Sequence, residues 1–276
     1  MTAATAVAET RTRSLRGHYG FADLARMEWI KLRSVRSTSW GLAIFTVSLI
    51  GSALLFNGLT SAAWGHMPAA DRASWDPTNL SFTGLIIGQL VTAVLGVLFI
   101  TSEYSSGLIR STFAAAPRRP LVLAAKTAVF GGLALLVGEV LAFASFFAGE
   151  LIMRSDVPHA SLATPTVLRA VLMAGAYAAL TGLFGLGLGA LIRRTAGGLA
   201  AAAGVIFVLP FLTLPLPDSI RNDVTKFLPE PIAASSISAV RPEAHALSPW
   251  LGFALLCLYA AVLLAAGTFA LARRDV

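Results

Sequence analysis

The sequence predicts an all-α integral membrane protein of six transmembrane helices, and three observations carry that prediction. Hydrophobic residues make up 56% of the chain and charged residues only 13%, about half the roughly 25% that a water-facing domain carries. Uncharged apolar runs of about 20 residues, the length that crosses a bilayer as a helix, recur six times. Arg and Lys gather in alternate connections between those runs, as the positive-inside rule requires of a multi-pass protein. A soluble enzyme is excluded by the first observation. Nucleic-acid binding is disfavoured although the formal net charge is +7, because the basic residues flank apolar spans instead of forming one stripe with exposed aromatics.

The expected spans cover about 40–62, 80–102, 122–149, 167–192, 197–216 and 249–272. Trp40 and Trp64 bracket the first, 24 residues apart, a helical length of about 36 Å that matches two headgroup belts. Fifteen of the 21 basic residues fall before span one, between spans two and three, between four and five, or after six. The others, Arg72, Arg154, Arg169, Arg221, Lys226 and Arg241, share their side with eight acids. Both termini are therefore expected in the cytoplasm, which an even number of spans also demands. The basic region of about 36 residues before span one is too long for a signal peptide. Residues 1–20 are expected to be a disordered cytoplasmic segment and 21–276 a single membrane domain. Arg far outnumbers Lys and Ala is abundant, a bias associated with high-GC bacterial genomes.

Residues 21–36 place Phe21, Leu24, Ala25, Glu28, Leu32 and Val35 on one helical face, with Arg26 and Arg33 turned away. This is a basic amphipathic helix suited to the inner interface of the lipid bilayer. Glu28 is the odd member of its apolar face. Either it snorkels and pairs with Lys31, or it contacts a partner or another loop.

Between spans two and three runs Glu103-Tyr-Ser-Ser-Gly-Leu-Ile-Arg-Ser-Thr-Phe-Ala-Ala-Ala-Pro-Arg-Arg119. Tyr104 with Leu108, and Ile109 with Phe113, form i, i+4 pairs, and Pro117 ends the helix. Such a half-apolar cytoplasmic helix marks a protein contact or a helix resting on the membrane. Glu103, where span two leaves the bilayer, can pair with Lys31 or Arg33. On the outer side, Asp218 is expected to cap a helix carrying Ile220, Val224 and Phe227 and stopped by Pro229, with a second from Ile232 to Val240. Two amphipathic pieces there suggest an interfacial or re-entrant lid.

Within the spans, Gly84, Gly88, Thr92 and Gly96 repeat every four residues, and Gly185 and Gly189 form a GxxxG; small residues at this spacing let helices approach closely. Gln89 and Glu139 are the polar residues deepest in the bilayer. A carboxylate there is functional, paired, or protonated and hydrogen-bonded in the bundle. There is no G-x-x-x-x-G-K-[ST], no H-E-x-x-H and no G-x-S-x-G, so neither ATP hydrolysis nor hydrolase chemistry is expected of this chain. The single cysteine, Cys257, provides neither a disulfide framework nor a thiolate metal site. The four His lie outside the spans, without the carboxylate spacing of a metal centre.

Three segments together resemble the permease subunits of type 2 ABC exporters, in their actinobacterial branch. They are Glu28-Trp-Ile-Lys-Leu-Arg-Ser before span one, Thr101-Ser-Glu-Tyr-Ser-Ser-Gly-Leu-Ile-Arg110, and Pro117-Arg-Arg leading to Lys126. The second is similar to the family signature E-Y-x-x-G-x-[IL]-R. The resemblance implies an elbow helix at 21–36 containing Glu28, Lys31 and Arg33. It implies a coupling helix after Glu103, with Tyr104, Leu108, Ile109, Arg110, Phe113, Arg118 and Arg119 facing a separate ATP-binding subunit, and outer re-entrant helices at 218–240. A second permease copy or paralogue would complete the pathway for an exported substrate. ATP and magnesium would reside in the partner, with no cofactor in this chain. Two other classes stay open: a secondary transporter using Glu139 as a proton or ion relay, and a non-transporting immunity or scaffold protein of the same topology.

Overall fold

In a computed structural model, residues 19–73, 75–240 and 246–273 are described, so most of the expected disordered segment and Arg241 lie outside the described residues. All secondary structure among the described residues is helical. Six helices are long and apolar enough to cross a membrane: Arg36–His66, Leu85–Ser105, Arg119–Ile152, Pro165–Ile192, Thr195–Leu212 and Pro249–Arg273, called spans one to six below. An N-terminal helix, Phe21–Ser34, precedes them, and a short helix, Leu108–Ala115, joins spans two and three.

Span four is the hub. In its most apolar stretch 72% is buried, against 22% for span one and 17% for span five. Glycines make that centrality possible. A Cβ on Gly96 of span two would lie 1.9 Å from the Gly182 carbonyl oxygen of span four, and one on Gly185 would lie 2.1 Å from the Ala93 carbonyl oxygen. No side chain fits either gap, so the backbones of spans two and four touch. The small-residue stripe of span two is thus used inside the chain, Gly84 against span one and Gly88 against the Phe45 ring. It is not a free face for a second copy. At the same crossing the Thr92 and Thr181 hydroxyls lie 2.8 Å apart, and the Tyr177 hydroxyl donates to the buried Gln89 amide oxygen. Interhelical bonds of this kind replace water for polar groups at bilayer depth.

Several boundaries differ from the sequence reading. Spans one and three start at Arg36 and Arg119, because arginine at a helix end reaches the interface on its long apolar stem. Span two starts at Leu85, not near 80. Asp76 caps a separate short helix, Pro77–Ser81, by accepting from the amides of Thr78 and Asn79. Trp40 is 71% exposed, as a belt residue should be, but Trp64 is 9% exposed. It stands edge-on to Trp75, ring centroids 5.3 Å apart, and so belongs to a small core instead of a headgroup belt. Span five loosens into a π-helical turn at Gly204–Val208 just before Pro210, whose ring cannot join a regular helix interior.

The connection after span five carries two helices, Asp218–Thr225 and Pro229–Ile237. Asp218 stands inside the first and pairs with Arg221 instead of capping. Pro229 opens the second helix instead of stopping the first, since a first-turn position needs no amide hydrogen. That second helix ends at Ile237, short of the expected Val240. Ile220, Val224 and Phe227 are exposed, whereas Ile232 and Ile237 are buried against the bundle.

Candidate functional site

The bundle has two polar ends. One gathers the N-terminal helix, the span two–three connection and the end of span six; we call it the basic end. Its core is apolar, with Leu24 and Leu32 of the N-terminal helix packed among Ile100, Ile109, Phe113, Val122, Leu123 and Leu271. Glu28 stands on the same helical face as Leu24 and Leu32, which is why it is driven to 0% exposure.

Four charges meet there. Lys126 of span three, 1% exposed, places its ammonium 2.5 Å from Glu28 Oε2 and 2.8 Å from Glu103 Oε1. Lys31 lies 3.1 Å from Glu28 Oε1 and 2.9 Å from the same Glu103 Oε1, and 3.4 Å from Thr112 Oγ1. The Lys126 ammonium also stands 4.2 Å from the Phe99 ring centroid. Two carboxylates and two ammonium groups make the cluster electrically neutral, the condition under which buried charge is tolerable. Burial opposes the Lys31 ammonium, but the Glu103 hydrogen bond and the charges of Glu28 and Glu103 outweigh it and hold its pKa above the ordinary value. This quartet ties the N-terminal helix, the end of span two, the connecting helix and the start of span three to one point.

Glu28 pairs with Lys31 as expected but does not snorkel: it is buried, and its second contact is Lys126 of span three instead of a partner or a loop. Glu103 takes Lys31 but not Arg33, which is exposed. Lys126 is the residue that the sequence analysis passed over as a site residue. Its position four residues into an expected apolar run was the available signal, since a lysine there needs a buried partner.

The connecting helix departs from expectation. Ile109 is 3% exposed and Phe113 9%, while Leu108 is 56% exposed. Ile109 and Phe113 are core residues of this chain, in one apolar cluster with Leu24, Leu32, Ile100, Val122 and Leu123, and present no face to a partner. Leu108 and Arg110 are the exposed pair. Gly107 precedes them with φ 74°, a left-handed turn that glycine adopts without strain. Arg119 donates to the Leu271 carbonyl at 3.1 Å and lies 5.5 Å from the Phe113 ring centroid. Arg193 donates to the Ala270 carbonyl at 2.7 Å and lies 5.7 Å from the Tyr104 ring centroid. Both guanidinium groups sit at the negative end of span six, where cations are favoured. Arg118 contributes its backbone amide to the Tyr19 hydroxyl at 3.2 Å.

The two deep polar residues separate. Gln89 is 2% exposed and paired with Tyr177. Glu139 lies beside Gly175, which has no side chain to crowd it, and its Oε2 has no hydrogen-bond partner among the described residues. No cluster of three or more metal-ligating side chains occurs among the described residues.

Fold and composition define a multi-pass membrane protein. No protein-family model matches the chain, and no curated protein matches it.

Proposed function

We propose that this chain is the permease subunit of a type 2 ABC exporter in a bacterial cytoplasmic membrane, with both termini inside. The observation that carries the proposal is the ion quartet. A permease without its own motor needs a rigid element on its cytoplasmic face through which a separate ATP-binding subunit moves the spans. Glu28, Lys31, Glu103 and Lys126 make one body of three helices and the connecting turn, with Leu108 and Arg110 at its exposed tip. In this reading the N-terminal helix is the elbow, Leu108–Ala115 is the coupling helix, and the helices at 218–237 form the outer re-entrant lid. Two such chains, or one and a paralogue, enclose the substrate path. Their contact falls to spans one and five, which are the least buried in the chain. ATP and magnesium act in the motor subunits, so this chain contributes path and lever but no chemistry.

Leu108 is the apolar anchor at the tip and Arg110 its charged rim; buried anchors carry most binding energy. The test is co-purification with an ATP-binding subunit, sought first in the open reading frames that neighbour the one for this chain. Leu108→Asp with Arg110→Glu is expected to abolish co-purification and export while leaving the bundle folded, because neither side chain contributes to its core. A doubly substituted chain that still binds the motor and exports normally overturns the docking assignment.

A further inference from the structure

Beside the quartet lies a cleft of about 450 Å³ between the N-terminal helix and spans one, two and three, within the 300–1,000 Å³ usual for small-molecule sites. Its depth is apolar: Phe45, Leu95, Phe99, Phe130 and Leu133 are among its lining residues, and it reaches as far as Val137 and Thr92. Its mouth is polar, with Ser34, Ser37, Thr38, Ser102 and Ser106 around Lys31 and Glu103.

Hydrogen-bond satisfaction decides what the polar end of a ligand must be. Both lysines donate to the same oxygen, Glu103 Oε1. Glu103 Oε2 is buried with no partner among the described residues, in a residue that lines the cleft and is 5% exposed. An unmet buried carboxylate oxygen is unfavourable until a donor reaches it. Lys31, the cleft's cation, is already spent on three acceptors, Glu28, Glu103 and Thr112. Ser34 and Ser106 direct their hydroxyls to backbone carbonyls of Lys31 and Ser102. Ser37, Thr38 and Ser102 leave neutral hydroxyls at the mouth, but its one lining cation is already neutralised and its carboxylate keeps an unmet acceptor, which favours a cationic over an anionic end group.

We propose that this cleft binds an amphiphile with an apolar body and a protonated amine at its polar end, the ammonium donating to the Glu103 carboxylate once that side chain turns its unmet oxygen to the cleft. As a binding site it follows from the cleft alone; as the place where an exporter takes its cargo it rests on the permease reading above. The apolar body gains by leaving water or lipid for a preformed slot, and the charge-assisted bond fixes its orientation.

The test uses the full chain in phosphatidylcholine nanodiscs with a diazirine-bearing long-chain alkylamine as photo-crosslinking probe. Adducts are expected on peptides containing Phe99 and Phe130–Leu133. Dodecylamine should compete at least about tenfold better than dodecanoic acid, the scale of one lost charge-assisted bond. Glu103→Gln should weaken the amine by a similar factor. Because Glu103 also holds the quartet, Ala134→Phe, which fills the cleft from span three, gives a second route and should abolish labelling there. Equal competition by the acid, competition by added phosphatidylglycerol, adducts mapping elsewhere, or labelling untouched by Ala134→Phe would each overturn the site. Saturable amine binding without motor co-purification would sink the permease reading and leave this one standing; the reverse result would do the opposite.

Discussion

The two polar ends of this bundle solve the same problem by different means. At the basic end, three helices are joined by full charges inside an apolar core. At the opposite end Asp76 joins two segments largely through backbone amides. Asp76 Oδ1 accepts from the amides of Thr78 and Asn79 at 3.0 and 3.2 Å. Its Oδ2 accepts from the amides of Ala239 and Val240 at 2.9 and 3.0 Å and from the Ser238 hydroxyl at 3.0 Å. Arg169 adds a bond to the Ser238 carbonyl at 2.6 Å. Fixed dipoles partly exposed to water can be lost one at a time. A neutral quartet of buried charges cannot, because removing one member strands another. The basic end is thus a rigid joint and the opposite end a tether, which suits a lever at one face and a lid at the other.

The comparison is broken most directly at Lys126. Lys126→Met leaves two carboxylates sharing one lysine and should cost about 3–5 kcal/mol of stability, the usual effect of breaking a buried pair. Adding Glu28→Leu restores neutrality around the Lys31–Glu103 pair, so the double variant should be more stable than Lys126→Met alone. Thermal unfolding in detergent measures both. Strictly additive losses would mean that the four charges do not act as a unit.

The connecting helix gives the next largest effect. Phe113→Ala should cost about 3 kcal/mol, as deletion of a large buried ring does, whereas Leu108→Ala should stay within about 0.5 kcal/mol as an exposed substitution. Similar losses for the two would contradict the burial difference between them. At the opposite end, Asp76→Ala removes one helix cap and the tether to 238–240, with an expected cost of about 1–2 kcal/mol. A loss as large as that of Lys126→Met would erase the distinction between joint and tether.

Alkaline pH probes the joint more gently. Folding raises the Lys31 pKa above its ordinary 10.5, so its contribution is complete below that value and is lost as pH rises through the folded one. The N-terminal helix should loosen there. Trp29, 41% exposed on that helix, reports it by fluorescence. Lys31→Met should remove that step, and an unchanged transition in this variant would assign it to another group.

Much of this is legible in the sequence. The six spans follow from apolar length, and Glu28 stood out on its apolar face, with Lys31 as its expected partner. The identity of Lys126 as its second partner, 98 residues away, was not legible, because pairing across elements leaves no local spacing. Periodicity gave Ile109 and Phe113 an apolar face correctly but could not say what covers it; a cluster drawn from the N-terminal helix and spans two and three does. Trp64 failed for the same reason, its spacing fitting a headgroup belt while Trp75 and Met153 enclose it. The stripe of span two was visible as small residues, yet only the Gly96–Gly182 approach reveals that it is consumed within the chain.

The smallest expected effect is at Glu139, and it sharpens the comparison because this carboxylate belongs to neither end. A joint or tether residue loses bonds when neutralised. Glu139 Oε2 has none among the described residues to lose, and an amide of the same shape beside Gly175 avoids the cost of charge at bilayer depth. Glu139→Gln should therefore leave stability unchanged or slightly raised, within about 0.5 kcal/mol. ATP-driven export should persist, since the permease reading assigns the energy to the motor and the transmission to the quartet. Complete loss of transport with folding and motor docking intact would instead make Glu139 an ion relay and return the secondary-transporter reading to first place.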